Sequence, residues 1–347
     1  MLGVSVYLKD LDVSYLEQAA KIGAKYVFTS LHIPEEDFSD IDVKLPLLLE
    51  TCCNNDLLLV PDVSPVTFEK LQIPAGDMEA LKALGVKAVR LDYGFDDIHQ
   101  LVTLQKDFIL FLNASVVSLT FLQQAEAAGL DLNEIQMAHN FYPKTDTGLS
   151  ASAFEADNRK LVERGLKIMA FVPGDALKRF PLYQGLPTLE KHRGVHPFVA
   201  AVELIKDFGV TDILIGDSLA RFATLEMIQR YLQERVLTLP VALYGGHQDF
   251  YGQELAVRRD IPEKVVRLAT PRIPKIAIEK TLQRKKGMIT MENELGGRYS
   301  GEINLCREDL PFSAATNCIG FVHPEFVDLL QWVDRDTKIR FEPIDFV

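Results

Sequence analysis

Cysteine is scarce in this chain. The four present, Cys52, Cys53, Cys306 and Cys318, form no CxxC pair, which argues against a structural zinc or a redox dithiol. Cys52 and Cys53 are adjacent in a helical pattern, so their side chains diverge; buried free thiols in a reducing compartment are the expectation. No apolar run is long enough to span a bilayer. The first residues, Met1-Leu2-Gly3-Val4-Ser5-Val6-Tyr7, read as a strand rather than a basic segment followed by an apolar one, so a cytoplasmic location is expected. Positive charge is also in deficit. With 37 Lys+Arg against 49 Asp+Glu, the net charge of -12 disfavours nucleic acid and anionic membrane as partners. The deficit is uneven: 22 cations face 33 anions before Pro240, and 15 face 16 from there onward.

What is present is a regular alternation. Short apolar runs at Gly3-Tyr7, Tyr26-Thr29, Leu57-Val60, Ala88-Leu91, Phe108-Leu112, Ile135-Ala138, Ile168-Val172 and Ile213-Ile215 are nearly continuous in Val, Ile, Leu and Phe. That is the pattern of parallel strands covered on both faces. Amphipathic segments lie between them, and five stop at glycine, at Gly23, Gly85, Gly129, Gly165 and Gly209. Eight strands predict a (β/α)8 TIM barrel over residues 1–238. An open doubly wound sheet is the alternative, but no GxGxxG follows the first strand. From Pro240 helical periodicity fades. Short strands at Val265-Leu268, Met288-Met291, Glu302-Leu305, Ile319-Val322 and Lys338-Phe341 predict a smaller all-β domain over residues 240–347, with one helix at Pro324-Leu330.

In such a barrel the C-terminal strand ends build the site. Those positions hold His32, Asp62, Arg90, Asp92, Asn113, Ser115, His139, Asn140, Tyr142, Asp175, Asp217 and Ser218. Helix capping competes with function for Ser115, Asp175 and Ser218; Asp92 and Asp217 each terminate an apolar strand and suit acid/base work. The run Ala138-His139-Asn140-Phe141-Tyr142-Pro143-Lys144-Thr145-Asp146-Thr147-Gly148-Leu149-Ser150 is the densest polar cluster, followed by a capping box at Ser152-Ala153-Phe154-Glu155 that is expected to open a helix. Lys144 and its hydroxyl- and Gly-containing turn form one anion candidate. The long loop after the seventh strand forms another, with Lys178, Arg179, Lys191, His192 and Arg193, and with Glu190 beside them. His32, His139 and His192 with Asp62 or Asp217 are conceivable metal ligands, but no HxH or HExxH pair backs them and a metal-free site is preferred. Gly296-Gly297-Arg298-Tyr299-Ser300-Gly301 reads as a hairpin turn, with Arg298 a further candidate for the substrate.

These motifs resemble one family. His139-Asn140-Phe141-Tyr142-Pro143 with Thr147-Gly148-Leu149-Ser150, Ser30-Leu31-His32-Ile33-Pro34-Glu35-Glu36, Arg90-Leu91-Asp92-Tyr93-Gly94-Phe95 and Gly185-Leu186-Pro187-Thr188-Leu189-Glu190 with His192-Arg193 are similar to the MupG-type 6-phospho-N-acetylmuramidases. The resemblance implies a TIM barrel with a C-terminal cyclophilin-like β-barrel. It also implies a cytosolic glycosidase that splits N-acetylmuramic acid 6-phosphate from N-acetylglucosamine during peptidoglycan recycling. A phosphorylated amino-sugar disaccharide would explain cations in an acidic barrel. By position, Asp92, Asp217 and Glu190 are the expected catalytic carboxyls, Glu190 as general acid. His32, Asp62, Asn113, His139, Asn140, Tyr142, Lys144, Arg179, His192, Arg193 and Arg298 are expected to bind substrate, with no cofactor or metal. A phosphosugar aldolase or isomerase and a non-catalytic sugar-phosphate-binding protein are the competing readings.

Overall fold

The computed structural model describes residues 1–36 and 38–346. The chain divides into two compact units, Met1–Leu225 and Glu226–Val347. The first is a closed parallel barrel of β1 (Leu2–Ser5), β2 (Tyr26–Ser30), β3 (Leu58–Val63), β4 (Ala88–Leu91), β5 (Ile109–Asn113), β6 (Gln136–Ala138), β7 (Lys167–Val172) and β8 (Asp212–Ile215). Each strand pairs with the next, and β8 closes on β1 with Gly3 opposite Leu214. The TIM barrel read from the alternation is therefore the fold. Side chains alternate across each strand, and one set fills the interior: Tyr26, Phe28, Val60, Ala88, Phe111, Ala138, Met169, Phe171 and Leu214 form a single buried cluster.

The helices begin and end where local chemistry directs. Helix Val13–Ile22 opens on Asp12, whose carboxylate accepts the Tyr15 N–H, and stops at Gly23 in a left-handed conformation with φ 117°. The helix after β6 starts earlier than the apparent capping box. Ser150 is the cap, accepting the Ala153 N–H at 3.3 Å, and Ser152 lies inside the first turn of Ala151–Val162. Cys52 is buried but Cys53 is exposed, because neighbours on a helix lie about 100° apart. Among the described residues no helix is long and apolar enough to cross a membrane.

The second unit is a mixed seven-stranded sheet curled into a half-barrel. Its strands are β9 (Val236–Leu243), β10 (Glu254–Ala256), β11 (Val265–Arg267), β12 (Met288–Glu292), β13 (Ile303–Cys306), β14 (Thr316–Val322) and β15 (Lys338–Pro343), in the order β10-β15-β9-β14-β12-β13-β11. Pro240 lies within β9, which pairs in parallel with β15. The expected helix at Pro324-Leu330 is a 3-10 segment, Pro324–Trp332, and the turn after β12 is a second one, Glu294–Tyr299.

Candidate active site

The alternation that packs the barrel interior continues one step further up the strands. Two residues beyond Val60, Ala88, Phe111 and Ala138 come Asp62, Arg90, Asn113 and Asn140, and two beyond Arg90 comes Asp92. A polar layer thus caps the apolar core at the C-terminal mouth. Asp62 and Arg90 face each other in register, and Arg90 Nη1 donates to Asp62 Oδ1 at 2.6 Å. Arg90 Nη2 donates to the Asn140 side-chain oxygen and to the Ala138 carbonyl, the latter at 3.3 Å. Asn113 Nδ2 stands 3.2 Å from both Asp92 Oδ1 and Asn140 Oδ1. His32, on the loop after β2, brings Nε2 to 3.6 Å from Asp92 Oδ2.

The two carboxylates differ in setting. Burial pushes the Asp62 carboxyl up from its ordinary range, while the Arg90 charge pulls it back. The Asp62 side chain is 10% exposed and the Asp92 side chain 24%. Asp92 is thus the member presented to solvent. A cavity of about 200 Å³ opens beside it, lined by Asp92, Asn113, Phe95, Leu112 and Phe121.

His32, Asp62 and Asp92 place potential ligand atoms within 4.8 Å of one another. Arg90 Nη1 sits 2.6 Å from Asp62 and 3.7 Å from Asp92. A guanidinium therefore already supplies the positive charge between these carboxylates, which fits a divalent cation poorly.

The pleat sends His139 the other way. It is fully buried, with its ring 4.4 Å from that of Phe154 on the following helix. Its Nε2 meets Asn158 Oδ1 at 2.7 Å. Asn158 donates through Nδ2 to the Phe208 carbonyl, so its oxygen accepts and His139 Nε2 carries the proton. Nδ1 then accepts from the Ser115 hydroxyl at 3.2 Å, and Ser115 Oγ accepts the Asn140 N–H at 3.3 Å. His139 therefore orients the loop that carries Asn140 rather than facing the mouth. Burial pulls its pKa down to about 4, although the Asn158 bond opposes this.

The loop after β7 is stitched down by its own charges. Asp217, with no exposed surface, accepts the N–H groups of Gly174 at 2.7 Å, Arg179 at 2.9 Å and Leu186 at 3.1 Å. Arg193 donates to Glu190 through Nε at 2.6 Å and Nη2 at 2.8 Å, and to the carbonyls of Gly185 and Tyr142 at 2.8 and 2.9 Å. Glu190 also accepts the N–H groups of Asp146 and Gly148 at 3.0 and 2.8 Å. A side chain at Gly148 would strike Glu190, which explains the glycine. Its bonds to Arg193 hold Glu190 down at about 2, so it stays ionised where a general acid must hold a proton. Lys191 and His192 both pair with Glu203 on the next helix, His192 at 2.9 Å and buried. The apparent cationic triplet is thus largely neutralised within the fold, and Arg179 is a buried cation of this loop whose one ion pair among the described residues is a long contact with Glu35. Asp175 caps the helix Phe222–Glu234 through Arg221 N–H and the Thr224 hydroxyl. Lys144 is exposed and Tyr142 half-buried. Arg298 lies in the second unit, at the β12–β13 turn, and donates to the Tyr299 hydroxyl at 2.7 Å.

Residues 2–230 match the family model described as 6-phospho-N-acetylmuramidase, N-terminal, and residues 246–342 match its C-terminal counterpart. The chain belongs to the 6-phospho-N-acetylmuramidase family. It is similar along its length to a crystal structure of a conserved protein of unknown function from Enterococcus faecalis. The identity is 31%, the TM-score 0.85, and the match covers 99% of this chain and 96% of that one. An uncharacterized B. cereus protein shares the fold at 24% identity and TM-score 0.79, over 98% of both chains. No curated protein matches the chain.

For this family member the sequence reading left Arg90 without a role and passed over Asn158, Tyr7 and Glu35. A signal for Arg90 was present: a lone charge inside Ala88-Val89-Arg90-Leu91 needs a buried partner. Asn158 carried none, because one asparagine on a polar helix looks like surface.

Proposed function

We propose that this chain is a cytoplasmic glycosidase that releases 6-phospho-N-acetylmuramic acid from N-acetylglucosamine in peptidoglycan recycling. The observation that carries the proposal is the polar layer at the barrel mouth, with Asp92 its presented carboxylate, in a chain whose two units both match the 6-phospho-N-acetylmuramidase family. Asp92 is the group that handles the proton of the glycosidic oxygen. Asn113 and His32 hold its carboxylate in place from two sides. Asp62 is bound to Arg90 and lies within 4.8 Å of Asp92. That is well short of the roughly 6.5–9.5 Å between carboxyls in inverting enzymes, where a water fits between them. With Asp62 so committed, the acetamido oxygen of the substrate is the favoured nucleophile at the anomeric carbon, a route open to N-acetylated sugars. Asp217 and Glu190 serve as anchors of the loop that frames the mouth.

A Schiff-base aldolase has less support. The C-terminal residues of the eight strands are Ser5, Ser30, Val63, Leu91, Asn113, Ala138, Val172 and Ile215, with no lysine among them. The test is direct. Purified protein is incubated with the 6-phosphorylated disaccharide and N-acetylglucosamine release is followed chromatographically. Turnover by the parent and a loss of roughly 10²–10⁴-fold in Asp92→Asn are expected. No release by folded parent protein, or full activity in Asp92→Asn, would sink the assignment.

A further inference from the structure

The loop after β7 carries a buried cation that chemistry at Asp92 does not employ. Arg179 is 4% exposed. Its guanidinium carbon lies 4.8 Å from the Tyr7 ring centroid, 5.8 Å from that of Phe180 and 5.9 Å from that of Phe141. The Asp217 carboxylate fixes its backbone N–H, so the side chain is held in place by the loop stitch.

Its charge is poorly answered. Nε has no hydrogen-bond partner among the described residues. Among the described residues its side-chain ion pair is a single long contact, Nη2 to Glu35 Oε2 at 3.5 Å. Neighbouring buried Glu36 also feels the Arg179 charge, but it accepts the Lys9 N–H at 2.7 Å and makes no hydrogen bond to the guanidinium among the described residues. A guanidinium carries five donors in a planar fork, and leaving such donors unmet in a buried place costs stability. The aromatic rings offset part of that cost but accept no ordinary hydrogen bond. Lys9, an exposed residue, adds a second cation, its Nζ 4.4 Å from the Phe180 ring centroid. Two cations thus converge on one aromatic floor, facing a glutamate whose side chain is 41% exposed.

We infer that Arg179, with Lys9, is the receptor for the anionic group of the substrate, and that Glu35 is a built-in counter-ion which that group displaces. The identity of the anion as a phosphate monoester rests on the proposed function; the receptor itself rests on the geometry. A phosphate accepts two parallel N–H bonds from an arginine fork, where Glu35 makes one long one. Glu35 and His32 lie three residues apart on the loop after β2, and His32 stands 3.6 Å from Asp92. Displacement of Glu35 therefore moves the segment that carries the imidazole. Anion capture and the Asp92 environment are linked through one short loop, which favours phosphorylated over unphosphorylated sugar in kcat as well as in KM.

Inorganic phosphate is the probe. Its affinity for the full chain is measured by titration calorimetry in the parent, Glu35→Gln and Arg179→Lys. Glu35 is exposed, so Glu35→Gln leaves the core intact, and removing the internal competitor should tighten phosphate binding at least about fivefold. Arg179→Lys keeps the charge but loses the fork, and should weaken binding about tenfold. Equal or weaker affinity in Glu35→Gln, undiminished affinity in Arg179→Lys, or no phosphate binding in either parent or Glu35→Gln overturns the inference. Hydrolysis is read separately. A chain that binds phosphate in this pattern but leaves the disaccharide intact loses the glycosidase assignment and keeps the receptor. A chain that cleaves the disaccharide while phosphate affinity ignores Glu35→Gln loses the receptor alone.

Discussion

Arg90 wires the polar layer together, because one planar fork reaches a carboxylate, an amide oxygen and a main-chain carbonyl at once. Removing it leaves Asp62 charged, buried and alone. Arg90→Ala should therefore destabilise the chain by roughly 3–5 kcal/mol, and adding Asp62→Ala should restore part of that loss. Urea midpoints of the two single variants and the double variant close the cycle; strictly additive effects would show that the pair is not coupled. His139 makes a second residue-scale test. Its folded pKa, about 4, lies below the ordinary 6.5. Above pH 6.5 both states are neutral there. Between pH 6.5 and 4 the unfolded chain takes up a proton that the folded imidazole refuses, so folded stability falls with falling pH. Below pH 4 the effect levels off, having reached roughly 3 kcal/mol at about 1.4 kcal/mol per unit. An NMR titration should find the imidazole neutral down to about pH 4; a midpoint near 6.5 would mean that the histidine reaches solvent.

At the scale of elements, the loop after β7 is ordered by main-chain bonds to one carboxylate. Asp217→Asn turns one of the two acceptor oxygens into a donor, so at least one of the three N–H groups faces a donor in place of its acceptor. A loss of about 1–3 kcal/mol is expected, with faster proteolysis confined to residues 174–186. Unchanged loop protection would separate Asp217 from the loop's order. The same loop marks where sequence reading stops. Strands and helix stops were legible because burial on both faces leaves a continuous apolar run and because Gly23 and Gly209 sit where a left-handed turn is needed. The polar layer was partly legible too, since Asp62, Asn113 and Asn140 follow strand ends. What sequence does not display is which way a side chain turns or who neutralises it. His139 and Asn140 are adjacent, yet the pleat sends one into the helix layer and the other to Arg90. Lys191, His192 and Arg193 look like an anion site because Glu203 and Glu190, which answer them, become partners through folding. Two strands of the second unit escaped outright: Val236–Leu243, which the boundary expected at Pro240 cuts in two, and Glu254–Ala256, which is three residues long and has one buried side chain.

For the whole molecule, charge is the relevant property. The chain carries -12 overall, and 33 of its 49 carboxylates fall before Pro240, the part that builds the barrel. The proposed phosphorylated sugar carries close to two negative charges on its phosphate at pH 7, so it approaches this field as an anion and is repelled at long range. The attraction that binds it is local, at Arg179, where burial limits screening. Added salt therefore acts unequally. At about 0.1 M the Debye length is near 10 Å, which cuts long-range repulsion while a buried pair within a few ångströms keeps most of its strength. Association should accelerate, so kcat/KM for the phosphorylated disaccharide should rise with sodium chloride from about 10 mM to 150 mM, opposite to an enzyme that steers an anion with a cationic face. An unphosphorylated, uncharged analogue should show no such rise. A fall in kcat/KM over this range for the phosphorylated substrate would mean that the field at the mouth is attractive, and that cations beyond Arg179 and Lys9 face the incoming sugar.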